Sequence, residues 1–225
     1  MKKTLLATSF LTLFTVSTAF AGTAILGGGG GGGSTGGISA TVGGTGTINT
    51  PHALSLGAGG FSLSYHDLSG GDTLSQAHFG VDGKLEIGVT SFNLGESDEA
   101  TYGNIKYQLV KETVVTPAIA VGVLDISDKY GRNAYIAGTK TLPVIDTRFT
   151  LGMYQKGDNK VFASVEKTFT MLPGGKNLFP STTVKVEYDS EDINYGISLA
   201  TIPGLKIDAG SRNGHGYVGA TYTFN

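Results

Sequence analysis

From Thr47 to the C-terminus, apolar and polar residues alternate with a period of two in almost every segment. In GKLEIGVTSF, Leu85, Ile87 and Val89 alternate with Lys84, Glu86 and Gly88. Ile105, Tyr107 and Leu109 alternate with Asn104, Lys106 and Gln108 in GNIKYQLV, and Phe149, Leu151 and Met153 with Arg148, Thr150 and Gly152 in DTRFTLGMY. TVKVEYD sets Val184, Val186 and Tyr188 against Lys185, Glu187 and Asp189, and LKIDAGS sets Leu205, Ile207 and Ala209 against Lys206, Asp208 and Gly210. No window longer than about ten residues carries the 3.6 period of an amphipathic helix. The pattern predicts an all-β chain of about twelve strands (10–12), near 60–66, 73–81, 84–92, 101–110, 115–125, 132–141, 145–155, 160–169, 181–189, 193–200, 204–211 and 215–224. Most are about as long as the 9–11 residues a tilted strand needs to cross a bilayer.

The final segment, GHGYVGATYTFN, places Val218, Ala220, Tyr222 and Phe224 on one face and Gly219, Thr221 and Thr223 on the other. A soluble sandwich covers a core with such alternation, with its charged face in water. A closed barrel turns the apolar face to lipid and the charged face to its lumen. The charges Lys84, Glu86, Lys106, Asp146, Arg148, Glu166, Lys185, Glu187, Lys206 and Asp208 all fall opposite the apolar face, five of each sign, so they can pair across neighbouring strands. The connections sort into two alternating sets. HDLSGGD, NLGESDEA, DISDKYGR, KGDN, DSED and RNGHG hold 11 of the 18 acidic residues; VDGK, VKETVV, TLPVI, MLPGGKNLFPS and TIPGL carry Pro143, Pro173, Pro180 and Pro203. Two chemically distinct ends suit a barrel with two aqueous faces. The expected fold is therefore an antiparallel up-and-down transmembrane β-barrel over 47–225, closed by a C-terminal strand that the barrel-assembly machinery reads.

The N-terminal end supplies an address. Lys2 and Lys3, the apolar stretch Leu5 to Phe20 and the small-x-small site Ala19-Phe20-Ala21 predict a secretory signal peptide cleaved after Ala21. Loss of the two lysines takes the formal charge from −2 to −4, which is no nucleic-acid signature. The chain has no Cys, so neither disulfides nor a lipidated Cys contribute. Residues 22–46, with the run Gly27 to Gly33, read as a flexible linker, because poly-Gly buries no apolar area and is costly to order.

Candidate chemistry is sparse. Neither the Gly run nor PGGKN at Pro173 to Asn177 has P-loop spacing. His52, His66, His78 and His215 lack zinc-ligand spacing. His66 beside Asp67, with Ser64 near, is the one Ser–His–acid grouping to weigh, but it has no nucleophile-elbow context. DISDKYG from Asp125 resembles the start of a calcium loop without the Gly and Glu that such a loop needs. No catalytic, cofactor or metal site is expected. Tyr65, Tyr107, Tyr154, Tyr188 and Tyr222 lie near segment ends, where an interfacial girdle or plain strand propensity would each place them.

Several segments together resemble the barrel of YjbH-type outer-membrane proteins: GTGTINTPHAL (Gly44 to Leu54), GGFSLSYHD, LEIGVTSFN, NIKYQLV and TPAIAVGVLDI, over roughly residues 44–200. The resemblance implies an association with exopolysaccharide production and its export components. The expected role is thus a non-catalytic, structural or export-associated outer-membrane barrel with lipid as its surroundings. A small passive pore is the alternative, followed by a lipid-modifying barrel enzyme and a secreted ligand-binding sandwich. Balanced lumen charges predict a closed interior, filled by side chains or by the Gly-rich N-terminal segment.

Overall fold

The computed structural model describes residues 44–93, 99–155, 160–172 and 176–224. The signal-peptide reading, the Gly27 to Gly33 run and Asn225 lie outside the described residues. Twelve strands form a closed antiparallel barrel in which every strand pairs with its sequence neighbours. They are β1 Phe61–Leu68, β2 Asp72–Gly80, β3 Leu85–Asn93, β4 Ala100–Val110, β5 Ala118–Leu124, β6 Asn133–Leu142, β7 Thr147–Gln155, β8 Lys160–Leu172, β9 Lys176–Tyr188, β10 Ile193–Ile202, β11 Leu205–Arg212 and β12 His215–Phe224. Closure joins β1 to β12, from Phe61 opposite Phe224 to Leu68 opposite Tyr217. A closed ring leaves no strand without a neighbour on each side, so the peptide groups pair round the ring apart from the register shifts in three of the ladders.

Alternation in sequence becomes alternation in space. On β7, Thr150 and Tyr154 are buried inside, while Phe149, Leu151 and Met153 are exposed outside. The closing strand behaves likewise: Tyr217 and Thr221 are buried, and Val218, Ala220, Tyr222 and Phe224 share the outer face. The two sets of connections occupy opposite ends of the barrel, as antiparallel neighbours require: the acidic set follows the odd-numbered strands, and the proline-bearing set the even-numbered ones.

One connection is shorter than its composition suggests. MLPGGKNLFPS reads as a long loop, but β8 and β9 extend into it, with Met171 opposite Asn177 and Leu172 opposite Lys176. Pro180, which has no N–H to give the ladder, falls within the shift of register between these pairs and Phe169 opposite Thr182. An irregularity of this kind is where a strand tolerates proline.

The core is in the lumen, and part of it is not barrel. Before β1, the chain forms a narrow hairpin over Gly44 to Leu56. Its legs are joined by Thr47 N–H to Thr50 C=O (2.9 Å) and His52 N–H to Thr45 C=O (3.0 Å). All of its residues are buried. The first barrel strand starts at Phe61, where the alternation places it; Thr47 to Leu56, counted with the barrel, and Gly44 to Gly46, counted with the Gly-rich segment, form the hairpin instead. Gly44 has φ +113°, and a Cβ there would meet Glu86 Oε1 at 2.7 Å.

Candidate functional site

The hairpin bonds to inward-facing groups of seven strands, so it lies along the barrel axis. Two carboxylates hold its ends. Glu187 on β9 receives the N–H groups of Ile48 (2.9 Å), Asn49 (2.6 Å) and Thr50 (3.2 Å) and the Thr50 hydroxyl (2.8 Å) at the tip. Glu86 on β3 receives the N–H groups of Thr45 and Leu56, each at 2.9 Å, and so staples both legs at the other end. A carboxylate that accepts several backbone N–H groups makes charge-assisted bonds, roughly twice as strong as neutral ones.

Between these points the wall meets the hairpin mostly through neutral groups, with Glu166 as a charged contact. Thr139 accepts the Ala53 N–H at 2.8 Å, and Gln108 donates to the Ala53 carbonyl at 2.9 Å. Thr47 donates to Ser164 at 2.8 Å, and His52 Nε2 lies 2.9 Å from the Thr47 hydroxyl and 3.0 Å from Glu166 Oε2. At the tip, Asn49 donates to Asp189 (2.6 Å) and Asn213 (3.0 Å) and accepts from Arg212 (2.8 Å). Apolar packing adds two patches: Ile48 against Leu68 and Tyr217, and Ala53 and Leu54 among Tyr135, Tyr154 and Phe162.

Eight of the ten charges read as a lumen ladder are found there. Glu86 pairs with Lys106 (3.2 Å), Arg148 with Glu166 (3.1 Å) and Lys185 with Asp208 (2.7 Å). The first two pairs are direct cross-strand neighbours; Lys185 reaches past Gly196 to the next strand but one. Glu187 forms no ion pair among the described residues, and its partners are the hairpin and Asn194 (3.0 Å). Lys206 shares the inward face of β11 with Asp208. The other two charges lie in turns. Lys84 precedes β3 and gives its N–H to Asp82 (2.9 Å). Asp146 is exposed at φ 45°, ending the 3-10 turn Pro143–Ile145, because that turn delays the start of β7 to Thr147.

A second feature appears only once the register is known. Five inward glycines face rings directly across the ladder: Gly88 and His78, Gly122 and Tyr135, Gly152 and Phe162, Gly210 and Tyr217, Gly219 and His66. Each ring lies over its glycine, where a Cβ would overlap it. The missing side chains let large rings lie flat against the wall and leave the axis to the hairpin.

The candidate nucleophile group does not converge. Ser64 donates to Gln76 at 3.0 Å, His66 is sandwiched between Gly219 and Tyr217, and Asp67 is exposed on the outer face. The Asp125 carboxylate is occupied by the N–H groups of Lys129 (2.9 Å) and Tyr130 (2.5 Å), and Asp128 accepts from Arg132 N–H (2.6 Å), so this turn is closed by its own backbone. No protein-family model matches the chain, and no curated protein matches it at a significant level.

Proposed function

We propose that the chain is an outer-membrane barrel, closed at rest, with a non-catalytic structural role in the envelope alongside exopolysaccharide export components. The observation that carries the membrane reading is the outer face. Leu151 (62 %), Val218 (53 %) and Val89 (50 %) are among the many large apolar side chains exposed all round the ring. Soluble proteins rarely expose contiguous apolar area beyond a few hundred Å². Among the described strand side chains, charges on this face are confined to Asp67, Lys140 and Lys167, near the barrel ends. Lys140 and Lys167 bend towards turn carbonyls, Lys140 reaching Val114 at 2.9 Å and Lys167 reaching Ile145, as snorkelling lysines do at a membrane interface.

The occupied lumen supports a closed barrel over a standing pore, since the axis is filled by the hairpin. The exopolysaccharide association rests on the resemblance to YjbH-type barrels, and its leading segment, Gly44 to Leu54, is the one that fills the lumen. Cell fractionation with heat-modifiable gel mobility tests the membrane reading. The expected result is membrane-fraction protein whose mobility changes on boiling; soluble periplasmic protein with unchanged mobility would overturn it. Loss of surface polysaccharide on deleting the gene tests the export association.

A further inference from the structure

We infer that the Gly44 to Leu56 hairpin is a withdrawable plug, and that the barrel has a latent pore activity for small solutes. The inference rests on the membrane reading above and adds an open state to it.

Three observations carry it. The hairpin enters and leaves the lumen by one end: Glu86 binds Thr45 near the start of one leg and Leu56 at the end of the other, with the tip far away at Glu187. Among the described residues no segment crosses the barrel from end to end, so the hairpin can withdraw without breaking a strand pair. The wall charges also keep partners of their own beside the hairpin: Glu86 has Lys106, Glu166 has Arg148 as well as His52 of the hairpin, and Asp208 has Lys185. Withdrawal therefore leaves those three ion pairs intact. Finally, the hairpin contributes no Asp, Glu, Lys or Arg, and most of its bonds are peptide or hydroxyl groups that water can replace once the lumen fills.

Glu187 is the exception. It depends on the tip for four of its donors and on Asn194 for the other, so it is the latch. The open lumen is lined by acids and bases in balance and narrowed by Tyr135, Tyr154, Phe162 and Tyr217. It passes small solutes of either charge with weak selectivity, because no excess of one sign faces the path. A twelve-stranded ring is also narrower than the 16–18-stranded porins.

The test uses the full chain, purified and reconstituted in planar bilayers. The unmodified protein is expected to be silent apart from rare openings. Glu187→Gln keeps the shape but makes the latch bonds neutral, and it should raise open time about tenfold, the factor carried by 1.4 kcal/mol. Because the chain has no Cys, adding Asn49→Cys with Asn213→Cys gives one unique pair across a 3.0 Å contact. A short, reducible thiol crosslinker on that pair should abolish the Glu187→Gln currents, and reduction should restore them.

Thiol labelling of Ala53→Cys, which is fully buried at rest, gives a readout independent of current: slow in the otherwise unmodified barrel, faster with Glu187→Gln. Currents unaffected by the crosslink would overturn the plug. So would a silent Glu187→Gln with unchanged labelling. Heat-modifiable mobility of the same samples separates the two readings: a folded, membrane-inserted but permanently silent barrel removes the plug and leaves the membrane role, whereas failure to insert removes both.

Discussion

Leu151 and Thr150 are adjacent on β7, yet one faces outward at 62 % exposure and the other meets the hairpin's anchoring shell. Leu151→Arg puts a charge on the outer belt and should cost about 2–4 kcal/mol near the midplane in a lipid folding assay. From the alternation alone, Thr150→Arg is the milder change unless the interior is tightly packed. Thr150 is instead bonded at 3.0 Å to Thr139, which accepts the Ala53 N–H, so the larger side chain must displace the hairpin. The expected result is two damaging substitutions with different signatures: Leu151→Arg impairs insertion, whereas Thr150→Arg inserts and exposes the plug to protease. The Gly152–Phe162 pair tests the ring-over-glycine contacts at the same scale. Gly152→Ala overlaps the Phe162 ring, and overpacking of this kind costs about 1–3 kcal/mol. Adding Phe162→Leu should relieve part of it, giving a coupling of about 0.5 kcal/mol or more in a double-mutant cycle of denaturant unfolding.

At the level of elements, the turn joining β9 to β10 shapes both itself and the hairpin tip. Asp189 accepts the N–H groups of Glu191 (3.1 Å) and Asp192 (2.8 Å) together with the side-chain amides of Asn49 and Asn194. Burial pushes the Asp189 carboxyl up, but these hydrogen bonds outweigh it and hold it below its ordinary value. A carboxylate with a depressed folded value gives stability that is present above its unfolded value, about 3.9, and is lost as pH falls through the lower folded value. Acidification below about pH 4 should therefore loosen the turn and the tip. Asp189→Asn should flatten that part of the acid limb when thermal midpoints are followed between neutral and low pH, and equal acid sensitivity of the two proteins would count against the assignment.

The whole molecule has two unlike ends. The acidic turns lie at the hairpin tip's end; the proline-bearing turns lie at the end where its legs, the start of β1 and the end of β12 meet. The longest connection, Asp125 to Arg132 between β5 and β6, lies at the acidic end, and outer-membrane barrels carry their longer loops outside and short turns on the periplasmic side. An epitope inserted at Glu191 should thus be labelled on intact cells, and one at Val144, which is fully exposed in the opposite turn, only after the outer membrane is permeabilised. The reverse labelling pattern would invert the orientation and place the plug's legs at the cell surface.

The sequence by itself determined the strands, their faces and their sorting into two ends, because a half-buried strand writes its environment into every second residue. Leu85, Ile87 and Val89 could be assigned to one face from spacing alone, and so could the closing residues Val218 to Phe224. Closure was legible too, but the extension of β8 and β9 and the ring-over-glycine pairs needed the register, since which glycine meets which ring depends on partners far apart in sequence. The hairpin was the least legible part. Thr45 to Leu56 has no strong period, and its burial comes from Glu86 and Glu187, which are 30 to 139 positions away from the hairpin groups they bind. Nor could alternation distinguish ion pairs within the wall from the carboxylate given to the plug: Lys185 and Glu187 read alike in sequence, and only the folded ring turns one to Asp208 and the other to the hairpin tip.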